Sequence, residues 1–181
     1  MIQRLRPKWS DEELATIYAT PHDHTKWNDH VLRVNRTLEI AQAIDGVQSA
    51  ADLSAGDAFI INALEITERY IGDYAPGYEF TGAIEQTIEQ IPNVDLFILS
   101  ETLEHIDNPI ALLKQIRNKT KFLLLTTPHA KWDDHNPEHY WAWDKDGIAD
   151  LLIESRFQAV SYELLELAED YFYDYQIWVC K

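Results

Sequence analysis

The chain lacks several features that would assign it quickly. Its single cysteine, Cys180, excludes an internal disulfide and points to a reducing, cytoplasmic setting. No uninterrupted apolar stretch approaches the roughly 18 residues of a membrane span. Met1 to Lys8 carries its charges without a long apolar core behind them, so a secretory signal is not expected there. There is no Gly-x-x-x-x-Gly-Lys phosphate loop, no Cys-x-x-Cys pair and no Gly-x-Ser-x-Gly elbow, which removes the common ATPase, zinc-ribbon and hydrolase readings. Internal repeats and low-complexity tracts are also missing. Positive charge is scarce, with 15 Lys and Arg against 31 Asp and Glu and a net charge of -16. A field of that sign repels phosphate backbones and makes a nucleic-acid partner unlikely to be favoured, while leaving a small molecule or a glycan open. Arg4, Arg6 and Lys8, and again Arg33 and Arg36, are weak basic clusters of the kind that form a solvated face.

What is present is a packed core. At 181 residues and 46% hydrophobic content the chain is long enough for one domain and too short for two comfortable ones. Ser10-Asp11-Glu12-Glu13 is a capping box, and Leu14, Ile17 and Tyr18 then share a helical face. A longer helix follows Pro21–Lys26, with Val31, Val34, Leu38 and Ala41 as its buried stripe and Gly46 as its cap. His22 and His24 read as solvent-facing loop residues. Residues 1–46 thus form an N-terminal helical layer, a lid or packing element, on a core spanning 47–181. In that core, short strands are expected at 49–53, 70–73 and 78–81, a fourth from Asp95 and a fifth at 122–126. Helices lie between them at 59–66 and 84–91, after the cap Asn108-Pro109, and after Asp144. Two closing strands, 157–165 and 171–180, complete a largely parallel sheet with helices on both faces.

The most informative stretch follows the fourth strand. Asp95-Leu96-Phe97-Ile98-Leu99 reads as a buried parallel strand, and ligands of open α/β sheets sit beyond the carboxyl ends of such strands. There Ser100-Glu101-Thr102-Leu103-Glu104-His105 emerges. Glu101, Glu104 and His105 are spaced i, i+3, i+4, so a helical turn would present all three on one side. At the first strand's end, Asp52-Leu53-Ser54-Ala55-Gly56-Asp57-Ala58 has small residues that let a backbone turn approach a ligand. Asp73 ends the second strand about twenty positions later, the interval at which carboxylates hold ribose hydroxyls in nucleotide-binding folds.

Together these segments resemble class I S-adenosylmethionine-dependent methyltransferases, over roughly Val47 to the C-terminus. Asp52 to Ala58 is similar to their Asp-Leu-Gly-Cys-Gly-Asp-Gly cofactor loop, and Asp95 to Ile106 to their fourth strand running into Leu-Glu-His. Ser54 and Ala58 replace two of the loop's glycines, Arg156 replaces the glycine before the sixth strand, and Tyr74–Gly77 is too short for the customary helix. The resemblance implies a Rossmann-like seven-stranded sheet in the order 3-2-1-4-5-7-6, with the seventh strand antiparallel. It also implies a cofactor, S-adenosylmethionine, held by Asp52, Ser54, Ala55, Gly56 and Asp57 at its methionine end, Asp73 at the ribose, Ala83 and Ile84 at the adenine, and Ser100 near the methyl group. Ile84 reads equally well as plain helix core.

Glu101, Glu104, His105 and the distant His139 resemble the divalent-metal site of small-RNA 2′-O-methyltransferases, and Glu-x-x-Glu-His alone is similar to ubiquinone-pathway O-methyltransferases. Two carboxylates and two imidazoles suit Mn, Fe, Co or Zn better than Mg. Without a metal, His105 or His139 is the general base. The surrounding loop, with His129, Asp133, Asp134, His135 and Glu138 among Trp132, Tyr140, Trp141 and Trp143, forms either an aromatic wall for a sugar or aromatic acceptor or a packing plug on the sheet. Tyr18 and Trp27 either close over the cofactor or join the core. The expectation is a methyltransferase acting on a small-molecule or sugar hydroxyl. The alternatives are a nucleic-acid or nucleotide methyltransferase and a degenerate cofactor-binding partner subunit. The oligomeric state is left open.

Overall fold

The computed structural model describes residues 1–23, 26–168 and 171–181, so His24 falls outside it. In chain order the elements are β1 (Ile2–Arg4), α1 (Asp11–Ile17), α2 (Asn28–Gln42), β2 (Ser49–Asp52), α3 (Phe59–Asn62), β3 (Glu68–Asp73), β4 (Phe80–Thr81), α4 (Ile84–Thr87), β5 (Val94–Ser100), α5 (Pro109–Arg117), β6 (Thr120–Pro128), β7 (Trp141–Trp143), α6 (Lys145–Glu154), β8 (Ala159–Leu165) and β9 (Tyr175–Cys180). Seven strands make one sheet in the order β4-β3-β2-β5-β6-β9-β8. This is the 3-2-1-4-5-7-6 order expected above. Only β9 runs against its neighbours, β6 and β8.

The central strands β5 and β6 carry unbroken apolar runs, Leu96–Leu99 and Phe122–Leu125, because both faces of the sheet are covered there. Alternate side chains go to opposite sides. Phe97, Leu99, Leu123, Leu125 and Trp178 pack with residues of α4, α5 and α6, while Leu96, Ile98, Leu124, Ile177 and Val179 pack with α2 and α3. Local signals set the helix starts. Ser10 and Glu13 exchange both bonds of the capping box, Asn108 accepts from the Ala111 amide, and Asp144 accepts from the Gly147 amide at 2.9 Å.

Several elements differ from the sequence reading. The helix expected to run to Ile66 stops at Asn62. The Arg69 guanidinium accounts for this, donating to the carbonyls of Ile61 at 3.1 Å, Ile66 at 3.0 Å and Leu64, and so satisfying groups that a continuing helix would have bonded. The 84–91 helix is a single α turn followed by a 3₁₀ turn, Ile88–Gln90. The region before the first core strand is not purely helical, because β1 pairs antiparallel with β7 in a separate ribbon, Ile2 opposite Trp143 and Arg4 opposite Trp141. Arg4 and Arg6 do not form a solvated face. Arg4 pairs with Asp107 at 2.5 Å and lies 4.7 Å over the Trp141 ring, and Arg6 donates to the Asp134 carbonyl, so both pin this arm down.

Register positions the site. Asp52 on β2 lies opposite Ile98 on β5, and Ser100 opposite Thr126 on β6. The carboxyl ends of β5 and β6 therefore project beyond β2. Because β9 is antiparallel, its first residue, Tyr175, arrives at the same end, opposite Pro128.

Candidate functional site

A cavity of about 1310 Å³ opens at these strand ends, floored by the sheet and walled by α1, α2 and the segment after β6. On its β2 side the chain turns sharply: Gly56 has φ 56° and Ala58 φ 58°. The Asp73 carboxylate braces the turn, accepting the Gly56 amide on one oxygen and the Ala75 amide on the other, each at 2.8 Å. Asp73 is therefore a strut for the loop as well as a cavity wall. Each of its oxygens keeps a second lone pair for a ligand hydroxyl. Burial raises its pKa, and the two amides work against that rise.

Of the expected cofactor residues, Ser54, Gly56, Asp73, Ala83, Ile84 and Ser100 line the cavity, whereas Asp52, Ala55 and Asp57 do not. Asp52 lies behind the turn, 4% exposed, accepting the Ser54 amide at 3.2 Å. Burial lifts its pKa to about 7. Asp57 accepts from the Phe59 amide, and Ala55 is buried. Ile84 belongs to both readings, being core and cavity lining at once.

Beyond β5 the chain leaves the strand through Glu101, whose φ of 51° is left-handed, and then makes one 3₁₀ turn, Leu103–His105. The helical turn that would have put Glu101, Glu104 and His105 on one side does not form, because Glu101 redirects the backbone. A non-glycine residue held there costs on the order of 1 kcal/mol, a strain typical of functional sites. Glu104, His105 and His139 converge, with ligand-type atoms all within 4.8 Å of one another, and the two imidazoles meet edge to face at 4.7 Å. Glu101 lies outside that set; its Oε1 accepts from the Thr126 hydroxyl at 3.0 Å.

The hydrogen bonds fix what the three residues offer. The His105 Nδ1 is 3.0 Å from the Glu138 carbonyl, an acceptor only, so Nδ1 donates and Nε2 keeps its lone pair. His139 Nδ1 donates to the Asp134 carboxylate at 2.7 Å, which leaves its lone pair at Nε2 too, where Asn136 donates to it at 3.1 Å. Glu104, 1% exposed, accepts from Thr127 on Oε2, but its buried Oε1 has no partner and lies 3.9 Å from His105 Nε2. Burial first, then the nearby Glu101 charge, pushes the Glu104 pKa up to about 8. Burial and the neighbouring His139 drive His105 well below its ordinary value. Burial also acts to lower His139, but its bond to Asp134 and the charges of Glu104 and Asp134 reverse the direction.

Of the two readings of the loop aromatics, Tyr140 and Trp143 follow the packing plug. Tyr140 and Trp143 are fully buried, and Trp143 Nε1 donates to Thr127 Oγ1 at 2.8 Å, so these aromatics plug the loop onto the sheet. The rings that face the cavity are Tyr18, Tyr74, Trp27, Phe172, Tyr173 and Tyr175. His22 also faces it, 3.2 Å from His30. Arg33 is a residue the sequence reading missed. It is not on a solvated face but buried at 1% exposure, donating to Ser100 Oγ at 2.6 Å. Its signal was the spacing Arg33, Thr37, Ala41, which is i, i+4, i+8 on the buried side of α2.

No family model and no curated protein matches the chain. Solved structures do. The Burkholderia thailandensis 1,6-didemethyltoxoflavin-N1-methyltransferase, with 1,6-didemethyltoxoflavin and S-adenosylhomocysteine bound, has 14% identity and a TM-score of 0.69, covering 99% of this chain and 93% of that one. The [4+2]-cyclase SpnF has 9% identity and a TM-score of 0.69, with 98% of each chain covered. The N-terminal domain of EvdMO1, crystallised in the presence of S-adenosylhomocysteine and D-fucose, has 13% identity and a TM-score of 0.61, covering 96% of this chain and 97% of that one. At these identities the likeness is one of architecture: the chain has the Rossmann-like, mostly parallel seven-stranded fold of these proteins.

Proposed function

We propose that the chain is an S-adenosylmethionine-dependent methyltransferase acting on a hydroxyl of a small molecule or sugar, assisted by a divalent ion. The carrying observation is that one cavity is lined both by the Asp73-braced turn and by His105 and His139, which cluster with the buried Glu104. Its volume exceeds the range usual for a single small ligand, which leaves room for a nucleoside and an acceptor together. Bound cofactor would supply an electrophilic methyl group with its sulfur as leaving group, and the chain would have to provide a base for the acceptor's hydroxyl proton.

The donor set fits a metal. Each imidazole has its Nδ1 proton held by an oxygen acceptor, the arrangement that orients metal-binding histidines; the His105 Nε2 lone pair is open, and that of His139 would have to exchange the Asn136 amide for an ion. The orphaned Glu104 oxygen lies in the same cluster. A divalent ion held by these residues would supply Lewis acidity that makes the acceptor hydroxyl easier to deprotonate. The chain's own contribution is orientation. Ser54 and Gly56 seat the methionine end, Asp73 the ribose, Ala83 and Ile84 border the adenine, Ser100 borders the transferring group, and His105 and His139 hold the acceptor side.

Calorimetry with S-adenosylhomocysteine on the folded chain tests the cofactor reading, and no heat of binding for it or for S-adenosylmethionine would refute it. Added Mn, Co or Zn should raise the melting temperature of wild type and not of Glu104→Gln or His139→Ala. Full turnover in EDTA by metal-free protein would remove the ion and leave His139 or His105 as a plain general base.

A further inference from the structure

Arg33 is the only arginine or lysine among the buried residues described. Its guanidinium has five N–H donors, yet among the described residues its one hydrogen-bond acceptor is the Ser100 hydroxyl, and Nε is buried without a partner. The Tyr175 ring lies 5.5 Å from the guanidinium carbon. No ion pair formed by the described residues includes Arg33. The proton directions show why Ser100 cannot balance the charge. Thr126 donates to Glu101, so Ser100, 3.0 Å from Thr126 Oγ1, donates to Thr126 and accepts from Arg33. Two neutral hydroxyls therefore stand between this cation and Glu101. Glu101 and Asp52 act on this cation through space only, and among the described residues its hydrogen-bonding and ring contacts are one hydroxyl and one ring face, which leaves guanidinium donors unused. Arg33 also lines the cavity, whose described lining includes eight acidic residues and two exposed lysines. Such a wall would repel a dianion, while a planar carboxylate matches the guanidinium fork.

We infer that Arg33 is an anion seat that takes one carboxylate of a ligand bound beside Ser100 and Tyr175. The inference rests on the methyltransferase reading for its two carboxylate sources, the methionine end of the cofactor and an acidic acceptor. Calorimetry on the full chain separates them with two ligand pairs, S-adenosylhomocysteine against its carboxamide and salicylate against salicylamide, on wild type, R33Q and R33K. In wild type one acid should bind roughly ten- to a hundredfold tighter than its neutral partner, the strength of a charge-assisted pair. R33Q should erase that preference, and R33K, which keeps the charge and loses the fork, should retain part of it. Erasure in the nucleoside pair assigns the seat to the cofactor, and erasure in the salicylate pair assigns it to the acceptor. If R33Q does not fold, the wild-type pairs and R33K decide. No acid preference in either wild-type pair, or a preference that survives undiminished in the variants, overturns the inference. Wild type that binds neither nucleoside refutes the methyltransferase reading, while the salicylate pair still decides Arg33.

Discussion

Replacing Asp95 with asparagine should weaken the junction of the three central strands in a pH-dependent way. Asp95 sits second in β5 and its carboxylate gathers Lys121 of β6 at 2.6 Å, the amides of Gln48 and Ser49 at 3.0 and 3.1 Å, and the Ser49 hydroxyl. The Lys121 bond and then the Gln48 amide are the largest causes that lower its pKa from 3.8 to about 2. That shift is worth roughly 2.5 kcal/mol if taken whole. The lysine side chain is 74% exposed while the carboxylate is 15% exposed, so solvent screens the Lys121 share. The two amide bonds then dominate, and Asp95→Asn should cost about 1.5 to 2 kcal/mol near neutral pH, against about 0.5 kcal/mol for Lys121→Met. The sign follows from the lowered pKa. The stabilisation is fully present above the unfolded value near 3.8 and is lost as pH falls through about 2, so about half should remain at pH 3. Urea midpoints of wild type and both variants at pH 6.5 and pH 3 measure this. A wild-type-minus-Asn difference that is the same at both values, or a Lys121→Met loss equal to that of Asp95→Asn, would refute the reasoning.

Other outcomes follow from single backbone positions and from charge. A Cβ on Gly72 would lie 2.5 Å from the Phe80 carbonyl oxygen and 2.9 Å from its Cβ. Gly72→Ala should therefore separate β4 from β3, cost about 2 kcal/mol in chemical denaturation, and weaken nucleoside binding through the adjacent Asp73; unchanged stability would contradict this close approach. Ala58→Gly relieves about 1 kcal/mol of left-handed strain but gives up a buried methyl worth about 0.8 kcal/mol and gains glycine's extra unfolded-state entropy. The melting temperature should fall slightly, and a rise of more than a few degrees would mean the strain is larger than the φ implies. With a net charge of -16 there is little basic surface to release counterions, so gel shifts with duplex DNA or structured RNA at physiological salt should show no submicromolar binding.

The sheet was legible where a strand is an unbroken apolar run, because a parallel strand covered on both faces has no polar alternate to interrupt it. β5 and β6 were located to within about two residues at each end. The strand order came from the resemblance and not from periodicity, since nothing local tells β5 to lie beside β2. β1 and β7 were invisible because three residues do not establish a period. Their pairing depends on Arg4 meeting Asp107 and Trp141 across the fold. α3 was read too long because its end is set by Arg69, a residue outside the helix, whose fork reaches back to three carbonyls.

The site was legible as composition and less so as geometry. Glu-x-x-Glu-His reads as one set when a continuous helix is assumed, since only a helix turns i, i+3 and i+4 together. The left-handed Glu101 breaks that assumption and divides the motif. Glu104 and His105 turn toward His139, while Glu101 stays against β6, where Thr126 holds it at the end of a hydroxyl chain that begins at Arg33. Arg33 and Arg36 were misread as a pair because residues three apart on a helix are neighbours, whereas here the long Arg36 side chain reaches outward to Glu163 and Glu39 and Arg33 is buried against Ser100. Among the described residues Arg36 has two carboxylate partners and Arg33 forms no ion pair. Of two like residues one turn apart, the exposed one is satisfied by the protein itself. The buried one keeps an unpartnered Nε–H beside the cavity, where the proposed carboxylate would bind.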